Sequence, residues 1–216
     1  MDWKKWFEQE WAVREEQFYR TFFGPGTGGI YTLDTGVFDS FQKGAVDPRW
    51  LFEGILKFPP AATRASWLFA TSGLSNAWED ETPNPDGWSG LSCELVLEAD
   101  GDFDWANALL RRLLAFQTLL GCGRYGDRGP LRIGDRIPLG NPIDGKQSLL
   151  TWCMVAPPIG YPSSFHLASG KVELLQVVGI TETEARFARE NGQEELFRLL
   201  SPVGYPVTAA TRSAVI

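Results

Sequence analysis

The residues best suited to catalysis in this sequence are Ser75 and the single histidine, His166. The segment Gly73-Leu74-Ser75-Asn76-Ala77 follows an apolar, strand-like stretch and differs by one residue from the G-x-S-x-G turn of hydrolases. In a Ser-His-Asp hydrolase, His166 would have to act as the general base. However, Ala77 replaces the last glycine, and a loop rich in Pro and Asp follows where a helix is expected. A serine hydrolase or esterase using Ser75 and His166 is therefore the alternative hypothesis.

Metal chemistry is not indicated by the residue spacing. Asp100, Asp102 and Asp104 imitate the start of a calcium-binding loop, but Trp105 and Arg111 occupy the positions that require Gly and Glu. A zinc site needs a cluster of His and Cys, whereas the three cysteines are dispersed, at Cys93, Cys122 and Cys153. The glycine-rich segment 23–29 lacks the Lys-Ser/Thr of a phosphate-binding loop. We therefore expect neither a metal nor a cofactor.

One surface segment, residues 78–88, has the character of a binding loop. It combines an acidic run with two tryptophans, and its predicted partner-binding residues are Trp78, Glu79, Asp80, Glu81, Asp86 and Trp88. Acidic charge attracts a basic partner over a long range, and tryptophans supply anchors that lose their hydration on binding. A solvated loop without a partner is the alternative interpretation, because acidic runs are commonly exposed.

Composition limits the classes of partner. The chain has 216 residues, of which 44% are hydrophobic, and a net charge of −7. This size is sufficient for one well-packed domain. The negative charge argues against nucleic acid or an anionic membrane as the partner, and is compatible with a basic protein. Scattered cysteines and the absence of a long apolar run favour a cytoplasmic protein, with its oligomeric state left open.

The elements expected to position these residues are arranged around a strand and a long helix. In Ser92–Glu98, Cys93, Leu95 and Leu97 alternate with polar residues, which predicts a strand with one face exposed to water at Glu94 and Glu98. Residues 105–120 then form an apolar helix, for which Asp104 is the predicted N-cap and Gly121 the stop.

The remaining pattern predicts a mixed α/β fold of the α+β type, in which a mixed sheet is packed by the long helix and by C-terminal helices. Residues 2–22 form an amphipathic helix whose predicted docking face is Trp3, Phe7, Trp11, Phe18 and Phe22. Further strands are predicted at 30–33, 54–58, 66–71, 133–139, 149–156 and 171–179. A capping box at 181–184 opens helices at 182–190 and 193–200, and a loosely held tail covers 207–216.

The order of these segments resembles the suppressor of fused-like domain family in its bacterial single-domain form. The resemblance rests on Thr71-Ser72-Gly73-Leu74-Ser75, the Cys-Glu-Leu-Val-Leu strand at 93–97 and the helix that starts Trp105-Ala106. It continues through 134–139, the apolar strand at 149–156, 172–175, 180–184 and a terminal Arg212-Ser213. The resemblance covers residues 54–216, and residues 1–53 are expected to be a helix and glycine-rich connector packed on this domain.

This resemblance implies a protein-binding role without catalysis. Eukaryotic members of the family bind a transcription factor in hedgehog signalling, whereas bacterial members are regarded as immunity proteins encoded beside polymorphic toxins. We therefore expect an immunity protein that neutralises a toxin, which could be a basic nuclease. An intracellular adaptor without a toxin is the other non-catalytic alternative.

Overall fold

The computed structural model describes residues 2–77 and 84–216. Within them, eight strands form one mixed sheet: β1 (Tyr31–Thr32), β2 (Gly54–Phe58), β3 (Trp67–Ser72), β4 (Trp88–Ala99), β5 (Arg136–Pro138), β6 (Trp152–Ala156), β7 (Ser164–Leu167) and β8 (Gly170–Ile180). The strand order is β1-β2-β3-β4-β8-β6-β5, and β7 also pairs with β8. Only β4 and β8 run parallel to each other among these pairs.

The helices lie before, within and after the strands. The N-terminal helix consists of α1 (Trp3–Trp11), a π-helical segment (Ala12–Tyr19) and α2 (Arg20–Phe23). It is followed by α3 (Thr35–Asp39), α4 (Asp104–Gly121), α5 (Glu182–Asn191) and α6 (Gln193–Leu200), with 3₁₀ turns at Pro48–Phe52 and Ser201–Val203. The predicted fold class, a mixed sheet packed by a long helix and by C-terminal helices, is confirmed.

Helix α4 supplies the main core. It packs on the sheet face that carries Cys93, Leu95 and Leu97, and Leu113 is buried in this cluster. The alternation along β4 and the apolar helix are therefore as predicted. The predicted cap is wrong, because Phe103 occupies the N-cap position without a side-chain bond and Asp104 is the first helical residue. Its carboxylate can still interact favourably with the helix dipole.

The opposite face of β4 is buried as well, which corrects the prediction of a face exposed to water. Glu94 is 0% exposed and Glu98 is 4% exposed. The N-terminal helix and β7 cover this face with apolar side chains that include Tyr19, Phe23 and Phe165. A period of two shows which residues share a face, but it does not show what covers that face.

The N-terminal helix docks through a face different from the predicted one. Its buried residues are Trp6, Glu10, Arg14, Tyr19 and Phe23, whereas Trp3 and Phe22 are exposed. In α1 the buried residues are Trp6 and Glu10, so the docked face already differs there from the predicted one. In the π-helical segment the buried residues Arg14 and Tyr19 are five positions apart, as i→i+5 bonding allows.

The C-terminal part contains both predicted helices and the predicted capping box between Thr181 and Glu184. The tail, residues 207–216, is held to the rest of the domain by hydrogen bonds, contrary to the expectation of a loosely held segment. The Thr208 backbone N–H donates to the Glu98 carbonyl at 2.8 Å, and the Thr208 hydroxyl accepts from the Gly179 N–H at 3.0 Å. Arg212 donates to both carboxylate oxygens of Glu184.

Candidate protein-binding surface

The predicted binding loop is described in part. Trp78, Glu79, Asp80 and Glu81 lie outside the described residues. Asp86 is exposed, and Trp88, the first residue of β4, is 52% exposed. The Lys171 ammonium lies 5.1 Å from the centre of the Trp88 ring, so that ring combines an apolar surface with a nearby positive charge.

Ser75 and His166 do not form the pair that a hydrolase requires. Ser75 is 0% exposed, and its hydroxyl donates to Glu94 Oε1 at 2.6 Å and accepts from Arg14 Nη1 at 2.9 Å. His166 is an exposed residue of β7 and forms no hydrogen bond with Ser75 in the described part of the chain. The segment that resembles a nucleophile turn therefore has a buried hydroxyl with other partners.

These partners belong to a buried network that we call the polar junction: Arg14, Ser72, Ser75, Asn76 and Glu94. The Arg14 guanidinium donates to Ser72 Oγ, Ser75 Oγ and Asn76 Oδ1 at 3.0, 2.9 and 3.0 Å. Glu94 Oε1 accepts from the Gly73 N–H at 3.1 Å and from the Ser75 N–H at 3.0 Å. Buried charges require such partners, because an uncompensated charge in the interior is costly. The junction therefore fastens the N-terminal helix to the turn after β3.

The same helix holds both ends of the loop. Asn76, which precedes the loop, accepts from the Trp11 indole N–H at 3.0 Å. Ser89, which follows the loop, donates to the Ser75 carbonyl at 2.7 Å, and its oxygen lies against the Ser169 hydroxyl. Ser169 in turn donates to the Glu10 carboxylate. The exposed residues Asp86 and Trp88 therefore project from a segment whose ends are fixed by buried hydrogen bonds.

A cleft of about 330 Å³ lies beside this loop. Asn76 and Ala77, which directly precede the loop, line it together with Glu53, Thr118 and Arg124. Gly73 also lines the cleft at φ +140°, and a Cβ atom there would lie 2.6 Å from Glu53 Cγ. Glycine at this position therefore allows the turn to approach Glu53 closely.

Glu53 is the buried carboxyl of the cleft. It is 2% exposed, and burial raises its pKa to about 8. The hydrogen bond between Glu53 and Thr118 and the charge of Arg14 lower the pKa of Glu53, and the charge of Glu94 raises it, but burial is the largest effect. At neutral pH this side chain is therefore mainly an uncharged acid.

The contacts of Thr118 agree with a protonated Glu53. Thr118 Oγ1 lies 2.7 Å from Glu53 Oε2 and 2.9 Å from the Leu114 carbonyl oxygen. A hydroxyl has one hydrogen and cannot donate fully to two acceptors. If Glu53 is protonated on Oε2 and donates to Thr118, then Thr118 can donate to Leu114, and both bonds are made.

Asn76 also lines this cleft, and its side-chain amide has an enclosed donor. Its Oδ1 atom accepts from two N–H donors, Trp11 and Arg14, which establishes which amide atom is oxygen. Its Nδ2 atom is buried and has no hydrogen-bond partner within residues 2–77 and 84–216. A buried donor of this kind costs about 1–3 kcal/mol when it is left unpaired.

The charged residues at the mouth of the cleft have contacts of their own. Arg49 pairs with Asp47 at 2.6 Å and lowers the pKa of that carboxyl. Arg124 donates to the backbone oxygens of Lys43 and Ala45, each at 3.4 Å, and its guanidinium lies 5.8 Å from the centre of the Trp50 ring. Among residues 2–77 and 84–216, Arg49, Arg124 and Asp47 are the charged side chains at this mouth.

Sequence reasoning missed the polar junction and the cleft. Glu10 and Arg14 follow Trp6 at intervals of four residues, so the three side chains lie on one face of a helix. Two charged residues on the same face as a tryptophan could have indicated a buried polar network. Glu53 offered no such signal, because it lies in a connector whose burial depends on contacts with Thr118 and Gly73.

Two further observations concern metals and membranes. No group of three or more His, Cys, Asp or Glu side chains in the described ranges is placed to hold a metal ion. None of the helices in residues 2–77 and 84–216 is both long and apolar enough to cross a membrane.

Comparison with solved structures relates this architecture to known proteins. A suppressor of fused homologue from Neisseria gonorrhoeae FA 1090 superposes with a TM-score of 0.66 at 14% identity, over 97% of this chain and 98% of that one. Drosophila Suppressor of Fused gives a TM-score of 0.60 at 19% identity over 76% of this chain, which spans 42% of the Drosophila protein. A chain in the crystal structure of the Sufu–Fu complex gives 0.60 at 19% identity, over 87% of this chain and 93% of that one.

At these identities the structural matches establish the fold, and the sequence establishes the family. No curated protein matches the sequence significantly. Residues 54–213 match the sequence pattern of the Suppressor of fused protein (SUFU) family, which is three-quarters of the chain and includes β2 to β8 and α4 to α6. The chain therefore belongs to the SUFU family.

Proposed function

We propose that this protein is a non-catalytic binding domain whose contact surface is the loop at 78–88 together with the adjoining cleft. The family is one of protein-interaction domains, and a relative of this fold has been crystallised in a complex of Sufu with Fu. The observation that carries the proposal is the fixation of both ends of the loop by buried hydrogen bonds while Trp88 remains 52% exposed. An anchor held in place loses less conformational entropy when a partner binds.

The proposed partner is a basic protein, and a toxin domain neutralised by this chain is the specific candidate. The net charge of −7 attracts a basic surface, and Glu79, Asp80, Glu81 and Asp86 would concentrate negative charge at the loop. A nuclease toxin would have such a surface, because it must hold phosphates. In this proposal the protein is bacterial and cytoplasmic, residues 54–216 form the binding domain, and residues 1–53 form an accessory segment that braces the loop.

The proposal is tested by purifying this protein with the product of any neighbouring gene that resembles a toxin. We expect a stable complex and loss of toxin activity when the two are mixed. A toxin that remains active in the presence of excess protein would contradict the immunity role. Binding to an endogenous regulatory protein instead would support the adaptor alternative.

A hydrolase is not supported by the geometry, because Ser75 is 0% exposed and bonded to Glu94 and Arg14. Replacing Ser75 with alanine is expected to weaken the polar junction. Saturable ester hydrolysis that disappears in both Ser75→Ala and His166→Ala would contradict the non-catalytic proposal.

A further inference from the structure

Three aromatic rings are joined in a row where α4 meets the segment after α3 and the loop that follows α4. Phe116 of α4 stacks on Phe41 with the ring centres 5.9 Å apart, and it contacts the Tyr125 ring edge to face at 5.2 Å. Phe116 is 9% exposed, whereas Phe41 and Tyr125 are half-buried and pack against the main core. The row is therefore a packed support with two of its rings at the surface.

Each ring of this row has one positive charge over it, at a distance typical of cation–π contacts. The pairs are Arg112 at 5.8 Å from the centre of Phe41, Arg128 at 5.4 Å from Phe116, and Lys43 at 4.4 Å from Tyr125. Burial raises the pKa of Tyr125, and the charges of Arg128 and Arg112 lower it, so both arginines also act on one hydroxyl. We call Lys43, Arg112 and Arg128 the basic patch.

No cation of the basic patch is paired with a carboxylate in residues 2–77 and 84–216. In the same ranges, their side-chain N–H groups also have no hydrogen-bond acceptor. Neighbouring positive charges repel each other, and a ring contact at an exposed site offsets this only in part. The basic patch is therefore a set of positioned donors whose charge is uncompensated, although the chain as a whole has a net charge of −7.

We propose that the basic patch binds a short acidic segment of a protein, a run of Asp or Glu side chains. Guanidinium groups recognise carboxylates through paired N–H donors, and the lysine adds a third charge. The rings support the three cations, which lowers the conformational entropy that is lost on binding. The inference does not rest on the proposed function, because it concerns another surface and a segment of the opposite charge.

Nucleic acid fits the basic patch less well. Single-stranded nucleic acid is held by bases that stack on free aromatic faces. Here Phe116 is almost completely buried, and the rings of Phe41 and Tyr125 already contact Phe116 and a cation. The row therefore offers charge at its surface but no free face for a base.

A long polyanion or an anionic membrane would also meet repulsion beyond the patch. Asp39 and Asp127 are exposed, and they lie within two residues of Phe41 and Arg128 in sequence. The rest of the surface belongs to an acidic chain, which an extended anion would have to approach. A short run of carboxylates can contact the three cations alone.

The test uses a hexaglutamate peptide with both ends blocked. It is titrated into the full-length, ¹⁵N-labelled protein at neutral pH and low, constant ionic strength, and backbone amide shifts are recorded by NMR. We expect saturable shifts at Lys43, Tyr125 and Arg128, and weaker binding when salt is added. The absence of saturable shifts, or saturable shifts confined to other residues, would overturn the proposal.

The triple variant Lys43→Gln/Arg112→Gln/Arg128→Gln removes the charge of the basic patch. It should weaken hexaglutamate binding on the order of tenfold, as expected for three exposed charge contacts. An amide spectrum recorded without peptide shows whether the variant is folded. An unchanged affinity in the folded variant would overturn the proposal.

The matched control, Arg20→Gln/Lys146→Gln/Arg189→Gln, changes the net charge by the same amount. These three cations are exposed and come from separate parts of the chain. The control should bind hexaglutamate nearly as the natural protein does. Equal weakening by both triple variants would show a response to net charge alone and would overturn the proposal.

Two other probes distinguish a protein segment from other anions: 5′-phosphorylated hexathymidylate and vesicles of equimolar phosphatidylserine and phosphatidylcholine. We expect the oligonucleotide to bind more weakly than hexaglutamate, and the protein not to sediment with the vesicles. Tighter binding of the oligonucleotide, or sedimentation with the vesicles, would overturn the assignment to a protein segment. A dimer of the free protein that the patch variant dissociates would overturn the assignment to a separate partner. These measurements need no toxin, so their failure is distinguishable from failure of the proposed function.

Discussion

Thr118 Oγ1 of α4 lies 2.7 Å from Glu53 Oε2 in the connector before β2, and both side chains are almost completely buried. This contact joins residues that are 65 positions apart in sequence. It places a carboxyl group in a setting where burial favours the uncharged form. The first prediction follows from that preference.

Replacing Glu53 with glutamine should change how stability depends on pH. The pKa of Glu53 is raised from 4.5 to about 8, so its protonated form stabilises the folded state fully below pH 4.5. That stabilisation is lost as the pH rises through about 8. We expect Glu53→Gln to be more stable than the natural protein by about 4 kcal/mol near pH 8, and similar to it near pH 4.5. Denaturant unfolding at several pH values measures this, and parallel pH profiles of the two proteins would contradict it.

Replacing Arg14 with methionine should strongly destabilise the fold. The Arg14 side chain is fully buried, and its Nη1 atom lies 3.8 Å from Glu94 Oε1, so its removal leaves a buried carboxylate without its cation. The expected loss is about 3–5 kcal/mol in denaturant unfolding. Arg20→Met on the exposed side of the same helix is the matched control, and it should have little effect. The double variant Arg14→Met/Glu94→Gln should recover part of the loss, and strict additivity of the two substitutions would argue against coupling.

Leu113 tests the position of the central helix. It is 2% exposed and packs in the main core, so Leu113→Ala should cost about 2–5 kcal/mol in unfolding free energy. Leu149→Ala removes the same atoms from a residue that is 58% exposed, and it should be nearly neutral. Equal effects of the two substitutions would show that α4 does not pack as described.

The tail should depend on the ion pair between Arg212 and Glu184. Burial alone would raise the pKa of Glu184, but its bonds with Arg212, Thr181 and Val215 lower it overall. Because the pKa of Glu184 is lower in the folded protein than the 4.5 of the unfolded chain, the ionised carboxylate stabilises the fold above pH 4.5. This stabilisation is lost as the pH falls through the pKa of Glu184 in the folded protein. Arg212→Met should therefore cost about 3–5 kcal/mol at neutral pH and less in acid. Arg198→Met breaks an exposed pair with Glu195 and is the control, expected to leave the unfolding transition unchanged.

If a partner is found, charge substitutions in the loop should change the association rate, and tryptophan substitutions should change the dissociation rate. Neutralising Glu79, Asp80 and Glu81 should slow association and flatten its salt dependence, because long-range charge acts mainly on encounter. Trp78→Ala or Trp88→Ala should chiefly speed dissociation, because these rings would be the desolvated anchors. Surface plasmon resonance at several salt concentrations measures both rates.

Substitutions at two exposed residues away from the loop serve as controls for that experiment. Glu190→Gln removes one negative charge, and Leu149→Ala removes an apolar side chain, so neither should change the rates appreciably. A tight complex whose rates respond to none of the five loop substitutions would exclude the loop as the interface.

The local pattern of the sequence predicted much of the fold. Alternation placed Cys93, Leu95 and Leu97 on one face of a strand, and the apolar stripe predicted the helix that packs against them. Both are repeating arrangements of neighbouring residues, so short-range spacing is enough to reveal them. The sequence also contained the capping box at Thr181 and Glu184, because a helix cap is formed within one turn.

What tertiary structure decided is the environment of the polar side chains. Glu94 looks exposed in its strand, but the N-terminal helix covers it, and Ser75 looks like a nucleophile, but Arg14 and Glu94 use its hydroxyl. Glu53 meets Thr118 across 65 residues, and the N-terminal helix buries Tyr19 whereas Phe22 is exposed. Burial, pKa and hydrogen bonding depend on which distant segments come into contact. The sequence alone determined the strands and helices, and tertiary packing determined which of their polar groups are buried and which remain available to a partner.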